Sequence, residues 1–373
     1  MASILDYITW RGDLSFRQSP FQEVDSLIFS TLSYVEFELL SLVIDETNSV
    51  TIGQAGEEFA RLNADEMRSP GRIIPVAIYE LFDEMSRAQR YRDLKLSCYV
   101  NQVDEEHEKQ FAAIVIELSE HEFYIAFRGT DDTLVGWKED FNMSFKAPVP
   151  SQEQALAYLN RVAMQKNGFI RMGGHSKGGN LAAYAAAYAS GVVRDRILSV
   201  HNFDGPGFAA EVLGKEQIDI ISRMVDTIVP QSSVIGMLFE HEEPYHVVAS
   251  TAHGIMQHDP FSWEVMGKSF VYVDDISASS YKFDATLRRF ILSMNAAEKE
   301  EFVDTLFLVL GETGAKTLSD LKMKDIAAIV KNLNREDSQS KKVLLQTFRM
   351  LLQTAEAERA QNHKKSLKML QES

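Results

Sequence analysis

The sequence predicts an α/β fold, in which a mixed and mostly parallel sheet is flanked by helices and followed by an all-helical region. From Phe111 onward, short apolar runs alternate with helical patterns, as in a sheet covered by helices. Between one such run and an alanine-rich helical run lies a G-x-S-x-G motif, Gly174 to Gly178. After about Tyr281, apolar residues recur only at helical spacing. We therefore expect an α/β domain over residues 1–281 and a helical C-terminal region over residues 282–373.

Composition and charge exclude several classes of protein. The chain has 373 residues, of which 45% are hydrophobic and 25% charged, as in ordinary globular proteins. A net charge of −16 argues against nucleic acid as a partner and against attraction to anionic membranes. Cys98 is the only cysteine, so no internal disulfide can form. No apolar run approaches the roughly 20 residues of a membrane helix, and Asp6 lies where a signal peptide would be positively charged. We expect a cytoplasmic protein without stable membrane insertion.

The first half of the chain divides into helices and a hairpin. Residues 1–100 are predicted to be mostly helical, with apolar residues at spacings of three and four between Pro20 and Glu46. Phe111–Leu118 and Glu122–Phe127 are apolar runs separated by a short polar turn, which predicts two hairpin strands. Ser151 begins a helix with a capping-box pattern.

The second half continues the alternation. Strands are predicted before the motif and at Ile197–Phe203, Ser222–Ile228 and Tyr245–Ala249. In the C-terminal region, Asn295 begins a helix that Gly311 ends. The same amphipathic pattern recurs at Ile326–Leu333 and Val343–Ala355.

The G-x-S-x-G motif has the context of a nucleophile elbow. An apolar strand, Phe169–Met172, leads into it and a helical run, Leu181–Ala187, follows it. In such a turn the serine, here Ser176, exposes its hydroxyl above the sheet, and glycines let the helix pass close to the strand. The N-terminus of the helix directs backbone N–H groups, that of Lys177 among them, toward a developing oxyanion. The same pattern also fits an ordinary glycine-rich turn.

A serine nucleophile needs a histidine base, and the base needs an acid. In α/β-hydrolase folds the chain order is serine, acid, histidine, which excludes the three histidines that precede Ser176, namely His107, His121 and His175. We favour His258, in a loop between Gly254 and Pro260. The alternatives are His253, in the same loop, and His241 and His246.

For the acid we favour Asp226, which follows an apolar run and precedes Pro230. Asp204 is the alternative; it also follows a strand, but it precedes Gly205-Pro206 and fits a turn residue equally well. Thr130, after the second hairpin strand, is the candidate for the second oxyanion donor, through its N–H and its hydroxyl.

Together these residues resemble the lipase-like α/β hydrolases of the class 3 (fungal triacylglycerol lipase) type. The matching segments are Phe127-Arg128-Gly129-Thr130 with Trp137 and Asp140, Gly174 to Gly179, Val225 to Pro230, and His258. The chain is more closely similar to the bacterial Mbeg-like proteins, a domain-of-unknown-function family with this core. Two segments carry that similarity, Asp6-Tyr7 with Trp10 to Asp13, and Gln257 to Trp263. The resemblance covers about residues 1–280. It implies Ser176 as nucleophile, Asp226 and His258 as its partners, and Thr130 and Lys177 as oxyanion donors, with no cofactor or metal.

These residues predict a serine hydrolase that cleaves an ester, lipase-like or esterase-like, through an acyl-enzyme. The substrate would be a small-molecule or lipid ester. Lys177 stands where lipases commonly have an apolar residue, and a cation there would favour a substrate with a negative group. The alternatives are an acyltransferase and a non-catalytic interaction protein with the same fold. The apolar faces of the C-terminal helices are expected to pack on the core or to form a homo-oligomer.

Overall fold

In the computed structural model, the described residues are 1–62, 77–131, 133–143, 146, 148–208, 212–233, 236, 241, 243–274, 295–312, 314 and 316–317. The helices are α1 (Ile4–Arg11), α2 (Glu23–Leu32), α3 (Ile52–Arg61), α4 (Ala77–Arg87), α5 (Leu134–Asn142), α6 (Pro150–Gln165), α7 (Lys177–Tyr188), α8 (Gly191–Arg194), α9 (Lys215–Met224) and α10 (Ala296–Glu312). Short 3-10 helices occupy Phe37–Leu39, Gly254–His258 and Pro260–Ser262.

The strands are β1 (Val50–Thr51), β2 (Lys95–Asp104), β3 (Lys109–Ser119), β4 (Glu122–Phe127), β5 (Phe169–His175), β6 (Ile197–Phe203), β7 (Val225–Pro230), β8 (Tyr245–Val248), β9 (Val265–Met266), β10 (Ser269–Phe270) and β11 (Tyr272–Val273). Within the described ranges, nine of them form one sheet in the order β1-β2-β3-β4-β5-β6-β7-β8-β11. The pairs from β4 to β8 are parallel, and the pairs at both edges are antiparallel. The α/β-hydrolase fold predicted from the sequence is confirmed.

Helices cover both faces of the sheet, and the side chains of β3 and β4 show this by their alternation. Ile114 and Ile116 on β3 belong to a core shared with the N-terminal helices. Val115 between them belongs to a second core, shared with α6 and α7. Successive strand residues point to opposite faces, so a strand buried on both faces reads as a continuous apolar run. That is why Phe111–Leu118 was recognisable in the sequence.

A buried ion pair fixes the N-terminal helices. Asp25 on α2 accepts hydrogen bonds from Arg90 at 2.7 Å and from Tyr91 at 2.7 Å. Arg90 also donates to the carbonyl oxygens of Leu14 and Ser19, both at 2.9 Å. Breaking one partner of such a buried pair is costly, because a charge is left without compensation. The pair therefore holds α2 in place, and the chain just after α2 reaches the candidate site.

Two predicted elements differ from the structure. Residues 95–100 lie in strand β2, whereas the sequence predicted mostly helix over residues 1–100. Residues 222–224 end helix α9, so the strand predicted from Ser222 begins only at Val225. The apolar run itself begins at Met224, and periodicity alone cannot separate the last turn of a helix from the first residues of a strand.

Of the C-terminal region, residues 295–312, which include α10, and residues 314 and 316–317 are described. Helix α10 packs on α5, where the rings of Phe141 and Phe307 lie 5.8 Å apart and Lys138 contacts Asp304 at 2.9 Å. The predicted helices at Ile326–Leu333 and Val343–Ala355 lie outside the described residues, and the boundary at residue 281 remains a prediction. In the described part of the chain, no helix is both long and apolar enough to span a membrane.

Candidate active site

Ser176 occupies a strained turn between β5 and α7. Its backbone has φ 58° and ψ −136°, a left-handed conformation that costs a non-glycine residue about 1–3 kcal/mol. A Cβ at Gly174 would lie 2.2 Å from the carbonyl carbon of Gly178, and one at Gly178 would lie 2.1 Å from the carbonyl oxygen of Phe127. Helix α7 therefore contacts β5 and β4 too closely for any other residue at these positions. The side chain of Ser176 is partly exposed, as an elbow nucleophile must be.

His258 is paired with Asp204. The Nδ1–H of His258 donates to Oδ2 of Asp204 at 2.6 Å. The Asp204 side chain is fully buried, and its other oxygen accepts a hydrogen bond from the hydroxyl of Ser233. Asp204 directly follows β6, and its N–H bonds to the carbonyl oxygen of Ile228 at 2.9 Å. A buried carboxylate fixed in this way holds the imidazole in one tautomer, with Nε2 unprotonated and able to accept a proton.

The prediction that Asp226 contacts this imidazole is wrong. Asp226 is the second residue of β7, its side chain is exposed, and it pairs with His201 two residues before the end of β6. Parallel strands present their C-terminal ends at one edge of the sheet, and Asp226 lies toward the opposite edge. The error follows from the strand boundary: Met224 was counted as strand, which placed Asp226 too late in it. Asp204, the alternative acid predicted from the sequence, contacts the His258 imidazole instead.

His258 reaches the elbow through the residue before the serine. The ring of His175 lies 4.5 Å from that of His258, and its Nε2 lies 2.7 Å from the carbonyl oxygen of His258. Within the described residues, no hydrogen bond joins the Ser176 hydroxyl to His258. Catalytic hydrogen bonds are often long before a substrate binds. Since Nδ1 is engaged by Asp204, Nε2 is the nitrogen that remains for the serine.

The loop after β4 lies against the elbow. A Cβ at Gly129 would lie 3.0 Å from Cβ of Ser176 and 2.5 Å from the carbonyl oxygen of His175. The hydroxyl of the next residue, Thr130, donates to Oδ2 of Asp140 on α5. Its single proton is thereby used, which leaves the backbone N–H of Thr130 as its donor toward an oxyanion. The sequence had predicted donation by both groups.

The side chain of Lys177 points away from the site. Its Nζ donates to Oε1 of Gln110 at 2.8 Å, to the carbonyl oxygen of Gln110 at 3.0 Å and to Glu139 at 3.1 Å, and the side chain is buried. The expectation that this cation favours an anionic substrate is therefore wrong. The backbone N–H of Lys177, unlike its side chain, remains a candidate oxyanion donor, because a first-turn N–H has no acceptor within its own helix.

Asp140 links this buried cluster to the Thr130 loop. Burial raises the pKa of Asp140 to about 6, against the opposing effects of Lys177 and of the Thr130 hydroxyl. Near neutral pH it is a carboxylate that accepts the Thr130 proton. The loop that carries the candidate oxyanion donor is thus held by a partly buried carboxylate on α5.

Sequence reasoning missed Tyr34, His175 and Ser233. The hydroxyl of Tyr34 lies 3.3 Å from Nδ1 of His175, a contact between residues 141 positions apart. Burial, and secondarily His258, hold the pKa of His175 well below 6.5, so its ring is neutral. No local pattern marks such contacts. The described residues contain no group of three or more His, Cys, Asp or Glu side chains arranged to hold a metal ion.

Comparison with known proteins identifies one family model and several solved structures that are similar to this chain. The Mbeg1-like family model matches residues 85–308. A fungal lipase–inhibitor complex is 16% identical, covering 46% of this chain and 70% of that one, with a TM-score of 0.33. A Rhizomucor miehei lipase–propeptide complex is 15% identical over 46% and 66%, with a TM-score of 0.31. The M37 lipase is 17% identical over 58% and 70%, with a TM-score of 0.36. No curated protein matches the chain.

Proposed function

We propose that this chain, which belongs to the Mbeg1-like family, is a serine hydrolase that cleaves an ester through an acyl-enzyme. Ser176 is the nucleophile, His258 the general base and Asp204 the acid that orients it. The observation that carries the proposal is the contact of 2.6 Å between His258 and the buried Asp204, next to a serine held at φ 58°. Strain and a buried charge both cost free energy, and such costs are concentrated at functional sites.

In the proposed reaction, Nε2 of His258 takes the proton of Ser176 as Oγ attacks the ester carbonyl carbon. The negative charge that develops on the carbonyl oxygen is stabilised by the backbone N–H groups of Lys177 and Thr130. His258 then gives its proton to the leaving alcohol, and the carbon–oxygen bond of the ester breaks. Water, activated by the same imidazole, attacks the acyl-enzyme and releases the carboxylic acid. Asp204 stays ionised and stabilises the imidazolium throughout.

The substrate class follows from the donors. Two backbone N–H groups recognise a carbonyl oxygen, and among the described residues the buried cations nearest the elbow are already paired, Lys177 with Glu139 and Arg128 with Asp131. An uncharged acyl ester, from a lipid or a small molecule, fits this better than an anionic one.

Labelling with a fluorophosphonate probe tests the nucleophile. We expect wild type to be labelled at Ser176 alone, and Ser176→Ala to be unlabelled. A probe adduct on a different serine would contradict the assignment. Wild type that resists the probe, and does not release acid from any of a panel of p-nitrophenyl esters, would support a non-catalytic protein with this fold.

A matched pair of aspartates tests the acid. Asp204→Asn should reduce kcat by a factor on the order of 10⁴, because the amide favours the wrong imidazole tautomer, as in the serine-protease precedent. Asp226→Asn makes the same chemical change at the exposed residue on β7 and should leave kcat unchanged. Equal losses in the two variants, or a loss in Asp226→Asn alone, would overturn the assignment of Asp204.

A further inference from the structure

We propose that His175 is a positioning residue that fixes the backbone of His258 to the elbow, an inference that rests on the proposed function. His175 touches none of the reacting atoms. It precedes Ser176 by one peptide bond, and its ring contacts a loop 83 positions away in the chain. It would therefore set the separation between nucleophile and base.

The direction of the hydrogen bond follows from its partners. A carbonyl oxygen can only accept, so the His175 nitrogen 2.7 Å from the carbonyl of His258, Nε2, carries the hydrogen. The ring is neutral, so Nδ1 has a lone pair, and the hydroxyl of Tyr34 shares its proton between this nitrogen at 3.3 Å and the carbonyl oxygen of His175 at 3.4 Å. Both ring nitrogens thus have a hydrogen-bond partner, and both His175 and Tyr34 are buried. A buried neutral histidine with one defined tautomer is a rigid connector.

Within the described residues, the His175 ring is the donor to the carbonyl oxygen of His258. His258 ends the 3-10 helix Gly254–His258, and the last carbonyls of a helix have no intrahelical partner. With this bond, His258 is held at two points: its side chain by Asp204 and its main chain by His175. If only one of these contacts were present, His258 could still rotate about it. Two contacts fix the direction of Nε2.

The same hydroxyl that supports His175 also lies against the oxyanion loop. A Cβ at Gly129 would lie 2.1 Å from the Tyr34 hydroxyl, so the loop passes directly over it. Tyr34, His175 and the carbonyl of His258 therefore form a chain of contacts beneath the nucleophile. We call Tyr34, His175 and His258 the elbow brace. Misplacement of a catalytic group by about 1 Å can cost about 10²-fold in rate, which is the scale on which loss of the brace should act.

Four variants separate positioning from packing. His175→Phe keeps the ring and removes the donor. In His175→Gln the amide nitrogen reaches the place of Nε2, and in His175→Asn it falls short. His201→Phe is the matched control, since His201 is also buried and neutral, with its pKa lowered to about 4, and it stacks on Phe203 in β6.

Kinetics with a p-nitrophenyl ester, and the rate of fluorophosphonate labelling at Ser176, are the first readout. His175→Phe and His175→Asn should lower kcat and the labelling rate by about 10- to 100-fold, with KM changed less than about twofold. His175→Gln should recover most of the rate, and His201→Phe should match wild type. Wild-type rates in His175→Asn, or equal losses in His175→Asn and His175→Gln, would overturn the proposal and leave the proposed function intact.

A second readout needs no catalysis. The proton between His258 Nδ1 and Asp204 should give a low-field proton NMR signal, absent in Asp204→Asn. Its exchange with solvent should accelerate at least tenfold in His175→Asn and return toward wild type in His175→Gln. An exchange rate unchanged in His175→Asn would refute the brace even if the wild-type protein proves inactive toward every ester.

Discussion

At the scale of single residues, the candidate site concentrates conformations and charges that weaken the fold. Ser176 has a positive φ without being glycine, and so has Asp204, with φ 51°. Asp140 is a carboxylate whose burial opposes its ionisation. The free-energy cost of these features is expected if they position a nucleophile, an acid and an oxyanion loop.

The strain at Ser176 can be measured. Glycine adopts positive φ without penalty, whereas alanine keeps the strain and removes the same hydroxyl. We expect Ser176→Gly to be more stable than Ser176→Ala by on the order of 1 kcal/mol, a gain partly reduced by the greater entropy of unfolded glycine. Urea unfolding of both variants measures the difference. Ser176→Gly less stable than Ser176→Ala, as at an unstrained position, would mean that the turn is unstrained.

Asp140 predicts a pH dependence of stability with a definite sign. Its folded pKa of about 6 exceeds the ordinary 3.8, so the folded state binds this proton more tightly than the unfolded state does. The stability from this group is present below about pH 4 and is lost as pH rises through about 6. The free energy of unfolding of Asp140→Asn should therefore exceed that of wild type at pH 7 by on the order of 2 kcal/mol, and this advantage should shrink toward pH 4. Urea midpoints at the two pH values test this. An advantage that is the same at both would contradict the raised pKa.

At the scale of elements, α10 tests whether the C-terminal region belongs to the hydrolase core. Phe307 is 8% exposed and packs against Phe141, whereas its neighbour Leu308 is 62% exposed. Phe307→Ala should destabilise the protein by about 3 kcal/mol, the cost of emptying a buried aromatic site. Leu308→Ala, at the exposed neighbouring position of the same helix, should change stability by less than about 0.5 kcal/mol.

The position of α10 also connects it to the site. It packs on α5, which carries Asp140, which in turn holds Thr130. Phe307→Ala should therefore also slow fluorophosphonate labelling of Ser176. If neither variant changes stability, α10 is a detachable module rather than part of the folding unit, and truncation after Tyr281 should then leave a folded fragment.

The sequence predicted those parts of the site that are local in the chain. The elbow was recognisable because strand, serine, glycines and helix are consecutive, and the close approach requires glycine at fixed offsets. The acid was mispredicted because it depends on where one strand begins: three residues of α9 were counted as β7. The side chain of Lys177 could not be placed, because Glu139 and Gln110 reach it from other elements. The elbow brace joins three distant segments and leaves no periodic pattern.

At the scale of the whole molecule, two hydrophobic cores on either side of one sheet bury ionisable groups as well as apolar ones. His201 is 8% exposed and His175 is 6% exposed, and both lie on adjacent parallel strands in the middle of the sheet. Burial lowers the pKa of His201 to about 4 and that of His175 well below 6.5. The His201 ring is therefore neutral in the folded state near pH 6, and burial also disfavours protonation of His175.

Acid should therefore destabilise the fold as a whole. For a histidine with a lowered folded pKa, the unfolded chain binds the proton first, so stability is present above about pH 6.5 and is lost as pH falls toward the folded pKa. For His201, the difference between an unfolded pKa of 6.5 and a folded pKa of about 4 corresponds to a loss on the order of 3 kcal/mol in the free energy of unfolding. His175 adds to the loss, and Asp140, with the opposite sign, offsets part of it.

We expect the free energy of unfolding to fall between pH 7 and pH 4.5, and to fall less steeply in His201→Phe, where an aromatic ring is retained and the titrating group is gone. Urea unfolding of both proteins across this range gives the two slopes. Parallel slopes would show that His201 takes up its proton in the folded state, which would require water to reach the middle of the sheet.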